Sequence, residues 1–228
     1  MKTIRATFAS AALAGLVLVT AFAAAPAKDA AELPQAAGKP CGTITVAAAS
    51  DLTYAMNEIA ANFEKATGCT VRLSMGSSGN FLTQIENGAP FDVFFSADIA
   101  YPKKLEAEGR AAEEALRQAG VYDAVKDRLV LGENISQAAE FVESGNADSG
   151  ILALSLVASP AMKDKGRAWN IPENLYTPIQ QGAVVVRAAG NPEGARQFLD
   201  FIRMPATAAL LERYGFALPA RTPDGGKH

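Results

Sequence analysis

ITVAAASDLTYAMNEIAANFEKATG, residues 44–68, decides the fold. Ile44–Ala48 is short, apolar and rich in small residues, the pattern of a buried strand. Leu52–Thr67 carries Met56, Ile59, Ala60 and Phe63 at helical spacing, so one face of a helix is apolar. Asp51 stands where a helix N-cap is expected, and Gly68 stands where the helix should end. A strand that runs straight into a helix delivers that helix's unpaired N–H groups and positive dipole end to the strand's C-terminal end. Ser50 sits at that junction.

The same arrangement follows at once. Val71–Met75 reads as a second strand, and Gly76-Ser77-Ser78-Gly79 leads into a helix over Asn80–Asn87 that stops at Gly88. Phe91–Ser96 reads as a third strand, apolar almost throughout. Continuous apolar strands alternating with helices predict a parallel sheet covered on both faces, hence the α/β class. Ser50 and Ser78 then lie at two helix starts. Two such ends, each with a hydroxyl, can converge on one small oxyanion. Taken singly, each serine is equally an ordinary turn or cap residue, and Ser77 can cap the same helix as Ser78.

Downstream, Ala100–Ala119 predicts one long helix or two joined by a bend at Gly109. Arg128–Leu131 reads as a strand, and Gly132-Glu133-Asn134-Ile135 turns into a helix that reaches Ser144. Gly150–Leu156 reads as another buried strand, and Ser159–Asn174 as loop, with the single tryptophan, Trp169. Ala183–Arg187 reads as a strand. Pro192–Arg203 and Pro205–Tyr214 read as helices that open with proline at a favoured first-turn position. Pro219–His228 is a polar tail.

The N-terminus has the layout of a secretory signal over residues 1–25. Lys2 and Arg5 precede the uncharged apolar run Ala11–Phe22, and alanine-rich sequence offers cleavage sites up to Ala27. The apolar run is too short to span a bilayer as a helix. Pro26–Pro40 is a polar leader. Removal of Lys2 and Arg5 takes the formal charge from −3 to −5, and no basic stripe follows, which excludes nucleic acid as an expected partner. The two cysteines, Cys41 and Cys69, each stand just before a strand pattern. If those strands are parallel neighbours, a disulfide becomes available in an oxidising compartment; two free thiols are the alternative. Two cysteines and one histidine in the tail, His228, do not build a usual zinc site. That lone histidine also leaves no positioned base for serine chemistry, and there is no G-x-S-x-G elbow or P-loop, so an enzyme is not expected.

Four stretches together resemble the periplasmic molybdate-binding proteins of ABC transporters, a branch of the two-lobed (type II) periplasmic binding proteins. They are residues 44–68, GSSGNFLTQIENGAPFDVFFSAD (76–98), LVLGENISQAAEFVESGNADSGILALSL (129–156) and RYGFALP (213–219). The resemblance implies two parallel-sheet lobes, 40–107 plus 185–219 and 108–184, and a tail at 220–228. It implies that Ser50 and Ser78 are hydroxyl ligands of the anion and that Ile135 supplies a backbone N–H. Ala153 takes the place where some members use a tyrosine hydroxyl. It further implies a periplasmic protein, expected to be a monomer, that binds molybdate or tungstate, has no cofactor and no metal beyond the oxyanion, and docks on an ABC permease. Sulfate or another oxyanion is the alternative ligand.

One part of the family's pattern is missing. Leu105-Glu106-Ala107-Glu108-Gly109 runs directly into Arg110-Ala111-Ala112-Glu113. A strand–loop–strand block of on the order of 40 residues is absent there. The second lobe is therefore expected to be shortened, and Glu108 falls where another anion donor would sit. A shortened paralogue that has lost anion binding is the remaining alternative. A donor-only site suits an anion that is fully deprotonated near neutral pH, which molybdate, tungstate and sulfate are.

Overall fold

The computed structural model describes residues 41–98 and 107–218, all within one compact unit. Its sheet has four strands: β1 (Thr43–Ala49), β2 (Thr70–Gly76), β3 (Val93–Ser96) and β4 (Gly182–Val185). They lie in the order β2-β1-β3-β4, with β1 parallel to both β2 and β3 and β4 antiparallel to β3. The registers Ala49↔Gly76, Ala48↔Phe95 and Ser96↔Gly182 put the C-terminal ends of β1–β3 and the start of β4 along one edge. That edge is where open α/β sheets bind their ligands.

β1 is central, and its side chains alternate between two cores, as strand geometry requires. Ile44, Val46 and Ala48 face helix α1 (Thr53–Thr67) and the C-terminal pair α7 (Pro192–Ile202) and α8 (Pro205–Arg213). Ala47 faces the other way, toward Phe81 of α2 (Ser78–Glu86) and toward Phe94. The small alanines let helices pack close on both faces. On the α1 side, Phe63 is fully buried and meets Phe198 and Phe201 edge-on at 5.1 and 5.3 Å.

Gly68 ends α1 at φ 73°, with its N–H donating to Glu64 O, and the chain then enters β2. A disulfide joins Cys41 and Cys69, Cα–Cα 5.0 Å, just ahead of the Thr43↔Thr70 register pair. At the opposite end of the chain Asn191 caps α7 by accepting the Gly194 N–H. Its amide also donates to the Cys41 and Thr43 carbonyls, which anchors α7 to the start of β1.

Residues 107–175 are built differently from expectation. Helix α3 (Ala107–Gln118) runs unbroken through Gly109; the part of that expected helix over 100–106 lies outside the described residues. The short α4 (Tyr122–Val125) follows, then α5 (Ile135–Glu143) and α6 (Leu154–Val157). The strand expected at Arg128–Leu131 is not formed, and Leu129, Val130 and Leu131 are 42, 65 and 77 % exposed. The strand expected over Gly150–Leu156 is irregular at first and becomes α6 from Leu154. A strand needs a ladder partner for its N–H and C=O groups. Among the described residues no strand lies between β3 and β4 to serve as that partner. The sheet is therefore mostly parallel and belongs to the β1–β4 half alone. Pro219–His228, like the leader and the signal, lies outside the described residues.

Candidate functional site

Ser50 opens a single 3₁₀ turn, Ser50–Leu52, between β1 and α1. Asp51 does not cap α1, whose N-cap residue is Leu52. Instead its buried carboxylate accepts the Gln181 side-chain amide from the segment entering β4. The 3₁₀ turn explains the difference: the helix starts at Thr53, one residue later than expected, so Asp51 lies inside the turn ahead of it.

The Ser50 hydroxyl, 5 % exposed, accepts the Ser136 N–H at 3.4 Å. The Ser136 hydroxyl in turn donates to the Ser50 carbonyl at 3.2 Å. Ser136 is the second residue of α5, so the start of that helix lies against Ser50. Asn134 caps it by accepting the Gln137 N–H at 3.1 Å. Ile135, 8 % exposed, is its first residue; its N–H is one of the four that no helix pairs internally.

Ser78 is the first residue of α2, and Ser77 is its N-cap, accepting the Asn80 N–H. The Ser78 hydroxyl is 4 % exposed and accepts the Ala97 N–H at 2.9 Å. Ala97 follows β3 and packs with Ala49, the neighbour of Ser50. Ser78 is thus tied to the Ser50 turn through Ala97 and makes no direct bond to Ser50.

Both serines therefore use an acceptor lone pair on a backbone N–H. Each keeps one hydroxyl proton, which no acceptor among the described residues takes. Around them stand the starts of α2 and α5, whose dipoles favour negative charge. The set offers donors.

Ala153 precedes α6, packs against the Ile135–Leu156 cluster and brings no side-chain donor. Two residues on, the Ser155 hydroxyl donates to the Asp51 carbonyl at 2.7 Å in a buried contact. Glu108 lies on α3, with its side chain outside what is described. Arg110 of α3 pairs with buried Asp98 at 3.5 Å and with Glu114 at 3.0 Å. Glu114 also accepts the Thr177 N–H at 2.6 Å. That bond, against slight burial and with help from Arg110, holds its carboxyl below the usual range. Ser136, Ser155 and Gln181 were not singled out from sequence. Their partners lie 86, 104 and 130 positions away, and nothing local marks such pairs. Among the described residues no cluster of His, Cys, Asp or Glu suits a metal ion, and no helix is long and apolar enough to cross a membrane.

The sequence pattern of the bacterial extracellular solute-binding protein family matches residues 44–114 and 106–217. The chain belongs to that family. It is a binding protein and not an enzyme. The chain is 33 % identical to the molybdate-binding protein ModA of Rhodobacter capsulatus, over 81 % of this chain and 90 % of that one. It is 32 % identical to ModA of Azotobacter vinelandii, over 77 % and 90 %. The solved periplasmic molybdate-binding protein of Azotobacter vinelandii superposes with a TM-score of 0.71 at 28 % identity, over 78 % of this chain and all of that one. The fold is that of the type II periplasmic binding proteins.

The family match comes in two segments, which overlap at 106–114. The Rhodobacter match runs over 234 positions, yet 81 % of the 228 residues is only about 185, so about 49 positions have no residue from this solute-binding protein.

Proposed function

We propose that this solute-binding protein captures molybdate, or tungstate, in the periplasm and hands it to an ABC permease. One observation carries the reading. The buried Ser50 and Ser78 hydroxyls each accept a backbone N–H, so each has a proton to donate outward, beside the starts of α2 and α5. A fully deprotonated oxyanion is the ligand such a set suits; an anion that still carries a proton would ask for an acceptor. The kinship with molybdate-binding relatives supports molybdate over sulfate within that class. In this reading Ser50, Ser78 and the Ile135 N–H touch the anion, and position 153 contributes only backbone. Residues 40–107 with 185–219 act as one lobe and 108–184 as the other, on a monomer exported by its signal segment. Closure of the lobes on the anion presents the loaded form to the permease.

Melting in the presence of ligand tests this reading. A ligand at a hundred times its Kd adds about 2.7 kcal/mol of stability. Molybdate and tungstate are expected to raise the midpoint clearly and phosphate to leave it unchanged. A midpoint unmoved by every oxyanion would favour a second reading, a shortened chain that has kept the fold and lost the ligand. The exposed Leu129–Leu131 segment, which forms no strand, is the observation on that side.

A further inference from the structure

Three residues, Ser136, Ser155 and Gln181, supply four hydrogen bonds that converge on two consecutive residues, Ser50 and Asp51. Ser136 of α5 reaches Ser50 with its amide and its hydroxyl. Ser155 of α6 donates to the Asp51 carbonyl at 2.7 Å, and Ser155 is itself only 5 % exposed. Gln181, on the return to β4, donates to the Asp51 carboxylate. Helices α5 and α6 are in turn locked to each other: Leu156, 2 % exposed, packs on Ile135 and Ala139. A shift of α6 is therefore a shift of the α5 N-terminus.

No strand ladder among the described residues joins α5 or α6 to the sheet. A ladder would fix position through many backbone bonds. Here a few side-chain bonds to one turn do so. We propose that Ser155 and Gln181 are positioning residues for the anion site. They hold the α6–α5 unit against Asp51 and so set how closely the Ile135 and Ser136 amides approach Ser50. Neither touches the anion. The proposal rests on the anion site assigned above.

The test is binding kinetics of molybdate on the mature protein, for Ser155→Ala, Ser155→Thr, Gln181→Ala and, as control, Ser50→Ala. Loss of one buried donor to a carbonyl is expected to weaken binding about tenfold, through faster dissociation with the association rate kept. Ser155→Thr retains the hydroxyl and is expected to restore binding to within about threefold of the native protein. Gln181 is exposed at the surface, so its variant tests the clasp even where Ser155→Ala does not fold. Native binding by both Ser155→Ala and Gln181→Ala, with binding lost in Ser50→Ala, would overturn the positioning role and leave the site standing. Native binding by Ser50→Ala would overturn the site and this inference with it. Equal weakening in Ser155→Thr and Ser155→Ala would show that packing, and not the hydroxyl, carries the effect, and would also overturn it.

Discussion

The Ser78 hydroxyl accepts the Ala97 N–H at 2.9 Å, and both residues are buried. One side chain thus closes the end of β3 and presents a proton beside the start of α2. Ser78→Ala should remove both services. The orphaned Ala97 amide costs about 1–3 kcal/mol of stability, and the anion loses one donor. Ser50 accepts its amide at a longer 3.4 Å, so Ser50→Ala should cost less stability. Each variant is expected to bind molybdate about 5–150-fold more weakly, the equivalent of 1–3 kcal/mol. Calorimetric titration and melting of the two proteins check both halves.

The Cys41–Cys69 disulfide closes a loop of 28 positions. A bond over that span stabilises by about 2–4 kcal/mol. The reduced protein should melt correspondingly lower, by roughly 4–16 °C for a chain of this size. An unchanged melting curve under reductant would show that the bond adds nothing to stability.

Asp92 ties β1 to the start of α7. Its carboxylate accepts the Thr45 N–H at 2.7 Å, the Thr45 hydroxyl at 2.8 Å and the Asn191 N–H at 2.8 Å. Burial pushes its pKa up, and these bonds outweigh that and hold it below the usual value. A lowered carboxyl pKa adds stability that is complete above the unfolded-state value, about 4, and is lost as the pH falls through the folded value. Asp92→Asn should therefore be less stable at pH 7 by about 1–3 kcal/mol. The gap to the native protein should hold down to about pH 4 and shrink below it. Urea titrations at several pH values measure that gap; a gap that widens in acid would contradict the assignment.

Much of the β1–β4 half was legible because its elements announce themselves locally. Ile44–Ala48 alternates between two cores, α1 carries its apolar face at helical spacing, and Gly68 ends it where a positive φ is needed. Ser50 and Ser78 were legible for the same reason, as residues at strand-to-helix junctions. Arg128–Leu131 and Gly150–Leu156 have the apolar composition of strands, but composition does not supply a partner. With no ladder partner among the described residues, Leu131 is 77 % exposed and Gly150–Ala153 is irregular. Asp51 has the look of a cap because sequence does not place a 3₁₀ turn ahead of a helix. The clasps of Ser136, Ser155 and Gln181 are long-range pairs that only the folded chain reveals.

The exposed segment yields its own prediction. In a ladder strand with one covered face, Leu131→Lys would bury a charge or lose core contact. On an open segment it should change stability by no more than about 0.5 kcal/mol and improve solubility. A loss of several kcal/mol in a urea titration would show that Leu131 is covered in solution.

Calorimetric titration of the mature protein with molybdate, followed by sulfate, tests the central claim most directly. Tight, saturable binding of molybdate with weak sulfate binding is the predicted result, and it would show that the chain works without the missing block. No heat from either anion, in a protein that still melts cooperatively, would contradict the claim: the Ser50–Ser78 site would then be a relic of the fold.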